Sequence, residues 1–156
     1  MIRKKYYLTE QGINKVKKEL EVLEKEQSLL LDGSGPRAFR FGEIEAEYFI
    51  FQENLMRTKE RIAEFKNILK DYKLIKIPPK EEQNKVGLGA KVTVEVDGDI
   101  DEFFILGTLE ANPAQGKISD ESPVGRALLG CKIGDEAVIN SPIKITYKIK
   151  NIKYGK

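Results

Sequence analysis

The chain has 156 residues, enough for one domain or two small ones, with 33% charged residues, 40% hydrophobic residues and a formal net charge of +2. That balance predicts a soluble, globular chain with too little excess charge to indicate nucleic-acid binding by itself. With no histidine and a single cysteine, zinc sites, Cys/His pairs and Ser-His-Asp triads cannot be assembled, and no P-loop or dinucleotide-binding glycine motif is present. Any chemistry falls to carboxylates, lysines, arginines or tyrosines. Cys131 can form no internal disulfide, which points to a reducing cytoplasm, and it reads as a small buried hydrophobe. No apolar run is long enough to span a bilayer, and the basic start Met1-Ile-Arg-Lys-Lys leads into no apolar stretch of the signal-peptide kind.

The first periodic segment carries Ile13, Val16, Leu20, Leu23 and, after Gln27, Leu30, at steps of three and four residues, with Lys and Glu between them. Thr9 is a plausible N-cap, and Asp32-Gly-Ser-Gly-Pro36 is a dense breaker signal. The spacing predicts a helix over 10–31, roughly 33 Å long at the usual rise. A second seam runs through Ile44, Tyr48, Phe51, Leu55, Thr58, Ile62, Phe65, Leu69 and Tyr72, in steps of 4, 3, 4, 3, 4, 3, 4 and 3. It predicts a helix over 43–74, roughly 48 Å long, ending before Pro78-Pro79. Two such helices form an antiparallel hairpin, each burying the other's seam.

The second helix outruns the first by about 15 Å, so residues 32–42 must run back along the overhang. Phe39 and Phe41 are placed to cover its apolar side. Packing does not explain Arg37, Arg40 or the alternate glutamates Glu43, Glu45 and Glu47 at the far end of the hairpin. If that segment is helical, Glu43 and Glu47 share a face; if it is extended, all three line one side. Like charges so arranged repel, and a cation would relieve them.

Residues 77–84 read as a linker built on the Pro-Pro pair and a charge run. Beyond it the period becomes two. Ala90–Val96 alternates, Asp97–Asp99 is a turn, Glu102–Glu110 is a strand, and the stretches beginning Glu136 and Ile143 supply two more. Pro123–Gly130 reads as a short helix with Ser122 as N-cap, Pro123 at its first position and Gly130 closing it. The expected class is α+β: an N-terminal antiparallel α-helical coiled-coil hairpin over 1–76 with its tip at about 32–47, then a small antiparallel β domain with one short helix over 85–156.

Three stretches carry a family resemblance. "ISDESPVGRALLGCKIGDEAVINSP" (Ile118–Pro142) resembles the signature of the bacterial GreA/GreB transcript cleavage factors, an Ile-Ser-x-x-Ser-Pro element leading into a small helix and a Gly-Asp-x-Val strand. "YLTEQGINKVKKELEVL" resembles their opening helix, with its Thr-x-x-Gly start, and "EAEYFIFQENLMRTKERIAEFKNILKDYKLI" resembles their second.

The resemblance implies that the β domain is FKBP-like and docks on the rim of the secondary channel of bacterial RNA polymerase. It further implies that the coiled coil passes down the channel, and that its acidic tip assists the polymerase in cleaving the nascent RNA 3′ end of backtracked complexes. The factor is then no enzyme by itself and binds no stable cofactor. It helps hold a Mg²⁺ shared with the polymerase site, for which carboxylate oxygens are suitable donors. A cytoplasmic monomer without membrane contact is expected.

By this resemblance Gly42-Glu43 matches the family's tip Gly-Asp, making Glu43 the first assisting acid, with Glu45 or Glu47 beside it and Glu43 and Glu47 the metal-sharing pair. Asp120, Glu121, Ser122 and Pro123 fall on the docking element, while Arg37 and Arg40 lie near the surface associated with RNA. The tip departs from the family pattern: Gly42-Glu43-Ile44-Glu45-Ala46-Glu47-Tyr48 is two residues shorter, and the second acid falls on Ala46 or Ile44 by either count. That departure motivates an alternative, a Gre-like regulator that occupies the channel without assisting cleavage. Prolyl isomerase activity would rest on fold analogy alone.

Overall fold

The computed structural model describes residues 5–33, 35–36, 39–40, 43–44, 46–140 and 142–155, without the side chains at 39–40 and 43–44. The chain divides into two compact units, one of residues 13–71 and one joining 1–12 to 72–156.

In the first unit, helix α1 (Glu10–Leu31) matches the predicted span and helix α2 (Ala46–Lys70) is shorter than predicted. The α1 seam buries Ile13 and Val16, and the α2 seam buries Leu55, Thr58, Ile62, Phe65 and Ile68. The Glu24 carboxylate accepts from Lys66 Nζ at 2.8 Å, and Gly35 lies against the Phe51 ring, 2.8 Å from Cζ to where a β-carbon would stand. Partners whose numbers rise along one segment and fall along the other define an antiparallel hairpin. The Gly35–Phe51 contact sets residue 35 beside the second turn of α2, but the expected overhang largely disappears, because α2 has 25 residues against 22 in α1. The brace seen there is Phe51; the side chain of Phe39 and all of Phe41 lie outside the described residues.

Two ends of the predicted second helix are corrected. Glu43–Ile44 forms strand β3, paired antiparallel with strand β2 (Phe39–Arg40) in the register Phe39↔Ile44 and Arg40↔Glu43. At the other end, Tyr72–Leu74 leaves the helix as strand β4 and pairs in parallel with strand β1 (Tyr6–Leu8). Ile75 N–H continues this ladder to the Leu8 carbonyl at 2.8 Å. Leu8 is fully buried, and this pairing, not Pro78, ends the helix. It also moves the expected boundary at 76: the first twelve residues and 72–76 belong with the β unit, and 77–84 includes a 3-10 turn at Lys80–Glu82.

The second unit is built on a five-stranded sheet in the order β7-β6-β5-β9-β8, from β5 (Ala90–Val96), β6 (Asp99–Leu106), β7 (Lys117–Ser119), β8 (Glu136–Asn140) and β9 (Lys144–Tyr154). The β5–β6 turn is Asp97-Gly98, both with positive φ (50° and 89°), as a two-residue hairpin of primed type requires. The sheet is mixed rather than antiparallel, because residues 107–116 carry the chain back and set β7 parallel to β6. Strand β6 stops at Leu106, short of the predicted Glu110. A side chain at Gly107 would stand 2.0 Å from the Tyr7 carbonyl oxygen, and the next residues coil into a 3-10 turn, Thr108–Glu110.

Helix α3 (Pro123–Leu128) covers one face of this sheet. Between them, Val92, Val94, Ile105, Ile118, Leu128, Ala137, Ile139, Ile149 and Ile152 form the core, with Phe103 and Tyr147 edge to face at 5.7 Å. Burying these branched side chains is the main source of this unit's stability.

Candidate functional site: a docking turn and an acidic tip

The predicted docking residues form the turn between β7 and α3, and hydrogen bonds specify its shape. Ser122 caps α3: its Oγ accepts from Gly125 N–H at 3.0 Å and donates to the Ser119 carbonyl at 2.6 Å. The hydroxyl proton is thereby committed to the turn. Asp120 N–H donates to the Leu106 carbonyl at 2.9 Å, and Glu121 N–H donates to Ser119 Oγ at 3.1 Å. The chain can fold this tightly because residue 125 is glycine: a β-carbon there would lie 2.0 Å from the Ser119 carbonyl oxygen. Glu121 and Pro123 are exposed, while Asp120 and Ser122 are half-buried.

Thr108, which sequence reasoning missed, reaches this turn from the 3-10 segment. Its Oγ1 donates to Glu121 Oε2 at 3.0 Å and lies 3.2 Å from Ser119 Oγ. Two residues on, Glu110 accepts from Thr9 N–H at 2.7 Å and from Thr9 Oγ1 at 2.5 Å. Thr9 Oγ1 itself caps α1 by accepting from Gly12 N–H at 3.0 Å. Gly12 leaves room for that carboxylate, since a β-carbon would stand 2.3 Å from Glu110 Cδ. The Thr-x-x-Gly start was visible in the sequence, but its partner lies about a hundred residues away.

At the tip, the backbone sets Arg40 opposite Glu43 across β2 and β3, and Glu47 stands exposed in the first turn of α2. Arg37 and Glu45 lie outside the described residues. The strand–helix junction departs from both simple readings of the segment, because Glu43 is extended and Glu47 helical. Among the described residues no group of three or more His, Cys, Asp or Glu side chains gathers to hold a metal. Among them, too, no helix is long and apolar enough to cross a membrane.

Burial, then the nearby Asp135 charge, pushes the Cys131 thiol above its ordinary value. Burial likewise raises the Tyr154 phenol, which donates to the Lys85 carbonyl at 2.6 Å.

Fold and turn together define a helical hairpin joined to a mixed-sheet unit that displays a capped Ser-Pro turn. Residues 80–154 match the family described as "Transcription elongation factor, GreA/GreB, C-term". The chain is 35% identical over 144 residues to the transcription elongation factor GreA of Thermomicrobium roseum, covering 91% of this chain and 92% of that one. It is 37% identical over 156 residues to the GreA of Clostridium acetobutylicum, covering 96% and 98%. A looser likeness is the crystal structure of the GreA factor homolog Gfh1 of Thermus thermophilus, 23% identical with a TM-score of 0.42 over 96% of this chain and 99% of that one. The chain belongs to the GreA/GreB family of transcription elongation factors.

Proposed function

We propose that this protein binds RNA polymerase through the Asp120–Pro123 turn, places its helical hairpin in the secondary channel, and stimulates the polymerase's own cleavage of the RNA 3′ end in backtracked complexes. The observation that carries this reading is the position of the acids. Glu43 in β3 and Glu47 in the first turn of α2 sit at the loop end of a helical pair whose seam is already buried. The hairpin also exposes Leu29, Leu31, Phe49 and Ile50 near that end. Exposed apolar side chains at such a place gain by being covered in a complex.

Carboxylate oxygens are the donors Mg²⁺ takes, so Glu43 and Glu47 fit an ion held chiefly by the polymerase. When bound, that ion stabilises the attacking and departing oxygens around phosphorus. The role left to this chain's own residues is to bring a carboxylate beside the attacking water and orient it, with Arg37 and Arg40 facing the RNA phosphates.

The test uses stalled, backtracked elongation complexes with radiolabelled RNA. The wild-type factor is expected to shorten the 3′ ends and Glu43→Ala to lose about a hundredfold in rate, with polymerase affinity retained. Unchanged 3′ ends at saturating factor, with inhibition of extension that survives Glu43→Ala, would instead identify the non-cleaving regulator that the shortened tip allows.

A further inference from the structure

We infer that the face of the five-stranded sheet turned away from α3 is a binding surface for a single strand of nucleic acid, with Phe104 as its stacking platform and Lys91, Lys117 and Lys153 as its phosphate contacts. The surface belongs to the β unit, whereas the functional reading above brings RNA to the hairpin tip. That reading supplies RNA as the strand; the geometry of the β unit alone supplies the surface.

The register of the sheet builds it. Lys117 in β7 pairs with Phe104 in β6, Phe104 with Lys91 in β5, and Lys91 with Lys153 in β9. These four residues form one row across four strands, about 14 Å from end to end at the usual strand spacing. Along their strands they alternate with Ile118, Phe103, Ile105, Ala90, Val92 and Ile152, which pack in the core, so their own side chains take the opposite face. Lys91 and Lys153 stand directly opposite one another, and like charges so placed destabilise a sheet. Among the described residues no carboxylate forms an ion pair with Lys91, Lys117 or Lys153, whereas Lys150, elsewhere on β9, has Glu95 as its partner. The fold gains nothing from this row, and a polyanion lying across it removes the repulsion.

Between the lysines stands the half-buried Phe104 ring, with the Lys91 ammonium 5.8 Å from its centroid. Clefts of about 720 Å³ and 260 Å³ adjoin the ring, and Phe104, Lys91 and Lys117 line both. The larger adds the aliphatic side chains of Leu74 and Ile77 and the ammonium of Lys76, and the smaller adds the Gln115 amide. An aromatic ring in a basic groove takes the unstacked bases and the phosphates of a single strand. Glu10 and Glu110 edge the larger cleft and Glu102 the smaller, but Glu110 is engaged by Thr9 and the row itself carries no acid. Lys117 lies on one side of the ring, Lys91 and Lys153 on the other. A base within a strand has phosphate on both sides, while a mononucleotide has it on one. An acidic peptide would use the lysines and leave the ring idle.

The test is fluorescence anisotropy of a labelled oligouridylate of about twelve nucleotides, titrated with the full chain between about 50 and 200 mM salt. An Arg37→Gln/Arg40→Gln background removes the tip's contribution. Phe104→Leu is expected to weaken binding about tenfold, and Phe104→Tyr, which keeps the stacking face, to bind like its parent. Lys91→Gln, Lys117→Gln and Lys153→Gln together should reduce the slope of log affinity against log salt by about 2, as for three lost phosphate contacts. Lys17→Gln, Lys18→Gln and Lys59→Gln, all exposed on the hairpin, should together change neither quantity. Absence of binding by the parent overturns the surface, as does equal weakening by the two lysine triples or parent-like binding by Phe104→Leu. Displacement of the RNA by a glutamate peptide of equal charge, or by uridine monophosphate, as effectively as by unlabelled RNA overturns it too. No polymerase is present, so failure here leaves the cleavage reading standing. Failure of the elongation-complex assay, in turn, leaves this surface standing.

Discussion

Gly12 shows how a single residue can be conspicuous in a sequence while its reason stays hidden. A glycine in the first turn of a long helix costs up to about 1 kcal/mol relative to alanine, so local propensity argues against it. The reason is the Glu110 carboxylate occupying the space of its missing side chain. Gly12→Ala should therefore destabilise by about 1–2 kcal/mol net, because the displaced carboxylate loses hydrogen bonds that outweigh the helix gain; urea unfolding measures it. Gly125 is less forgiving, since the atom met at 2.0 Å is the Ser119 backbone oxygen. Gly125→Ala should cost about 3 kcal/mol and deform the docking turn. The same scale governs Cys131, half-buried beside the core and donating to the Ala127 carbonyl at 3.3 Å. Its thiol is raised by burial and by Asp135, so the reactive thiolate forms at higher pH in the folded than in the unfolded chain. The alkylation pH profile should shift upward in native protein and return to the ordinary thiol range in urea. The sequence reading made Cys131 a small buried hydrophobe, whereas it is half-buried and packs against the core from its edge.

Among the elements, α1 was legible from start to finish because every signal needed is local: the Thr9 cap, the three-four spacing and the Gly-Ser-Gly-Pro break. The second helix was legible in its middle only. A strict heptad assigns Leu69 to the seam, but the helix's 3.6-residue period drifts, and Ile68 is the residue at 0% exposure. Ile68→Ala should accordingly cost about 2–5 kcal/mol and Leu69→Ala clearly less, a contrast that thermal unfolding of the two variants checks. Helix α3 was legible for the same reason as α1: Ser-Pro at its start and Gly130, with φ of 81°, past its end. Ser122→Ala should cost about 1 kcal/mol through loss of the cap, so a fall in polymerase binding beyond that small instability would report the turn itself. Strand β7 escaped prediction altogether, because the three residues Lys117–Ser119 are too few to show an alternation, and its parallel direction follows from the 107–116 connection.

For the whole molecule, the functional proposal divides the labour between the two units, and the division can be measured. Pro123→Ala, on the exposed turn, should weaken polymerase binding while leaving cleavage near wild type at saturating factor. Glu43→Ala should do the reverse. Parallel titrations of the two variants in one cleavage assay distinguish the effects, and equal loss of both parameters in both variants would contradict the division. By itself the sequence determined the family, the helical pair, the capped helix and the alternating strands, because each is written in short-range spacing and end signals. Tertiary structure alone decided that the first strand returns to pair with Tyr72–Leu74, that β7 runs parallel to β6, that Glu43 is extended, and that Glu110 grips the start of α1. Each of these joins segments distant in sequence or overrides a local periodic preference. Such pairings depend on which surfaces meet once the core has formed, and no local pattern carries that information.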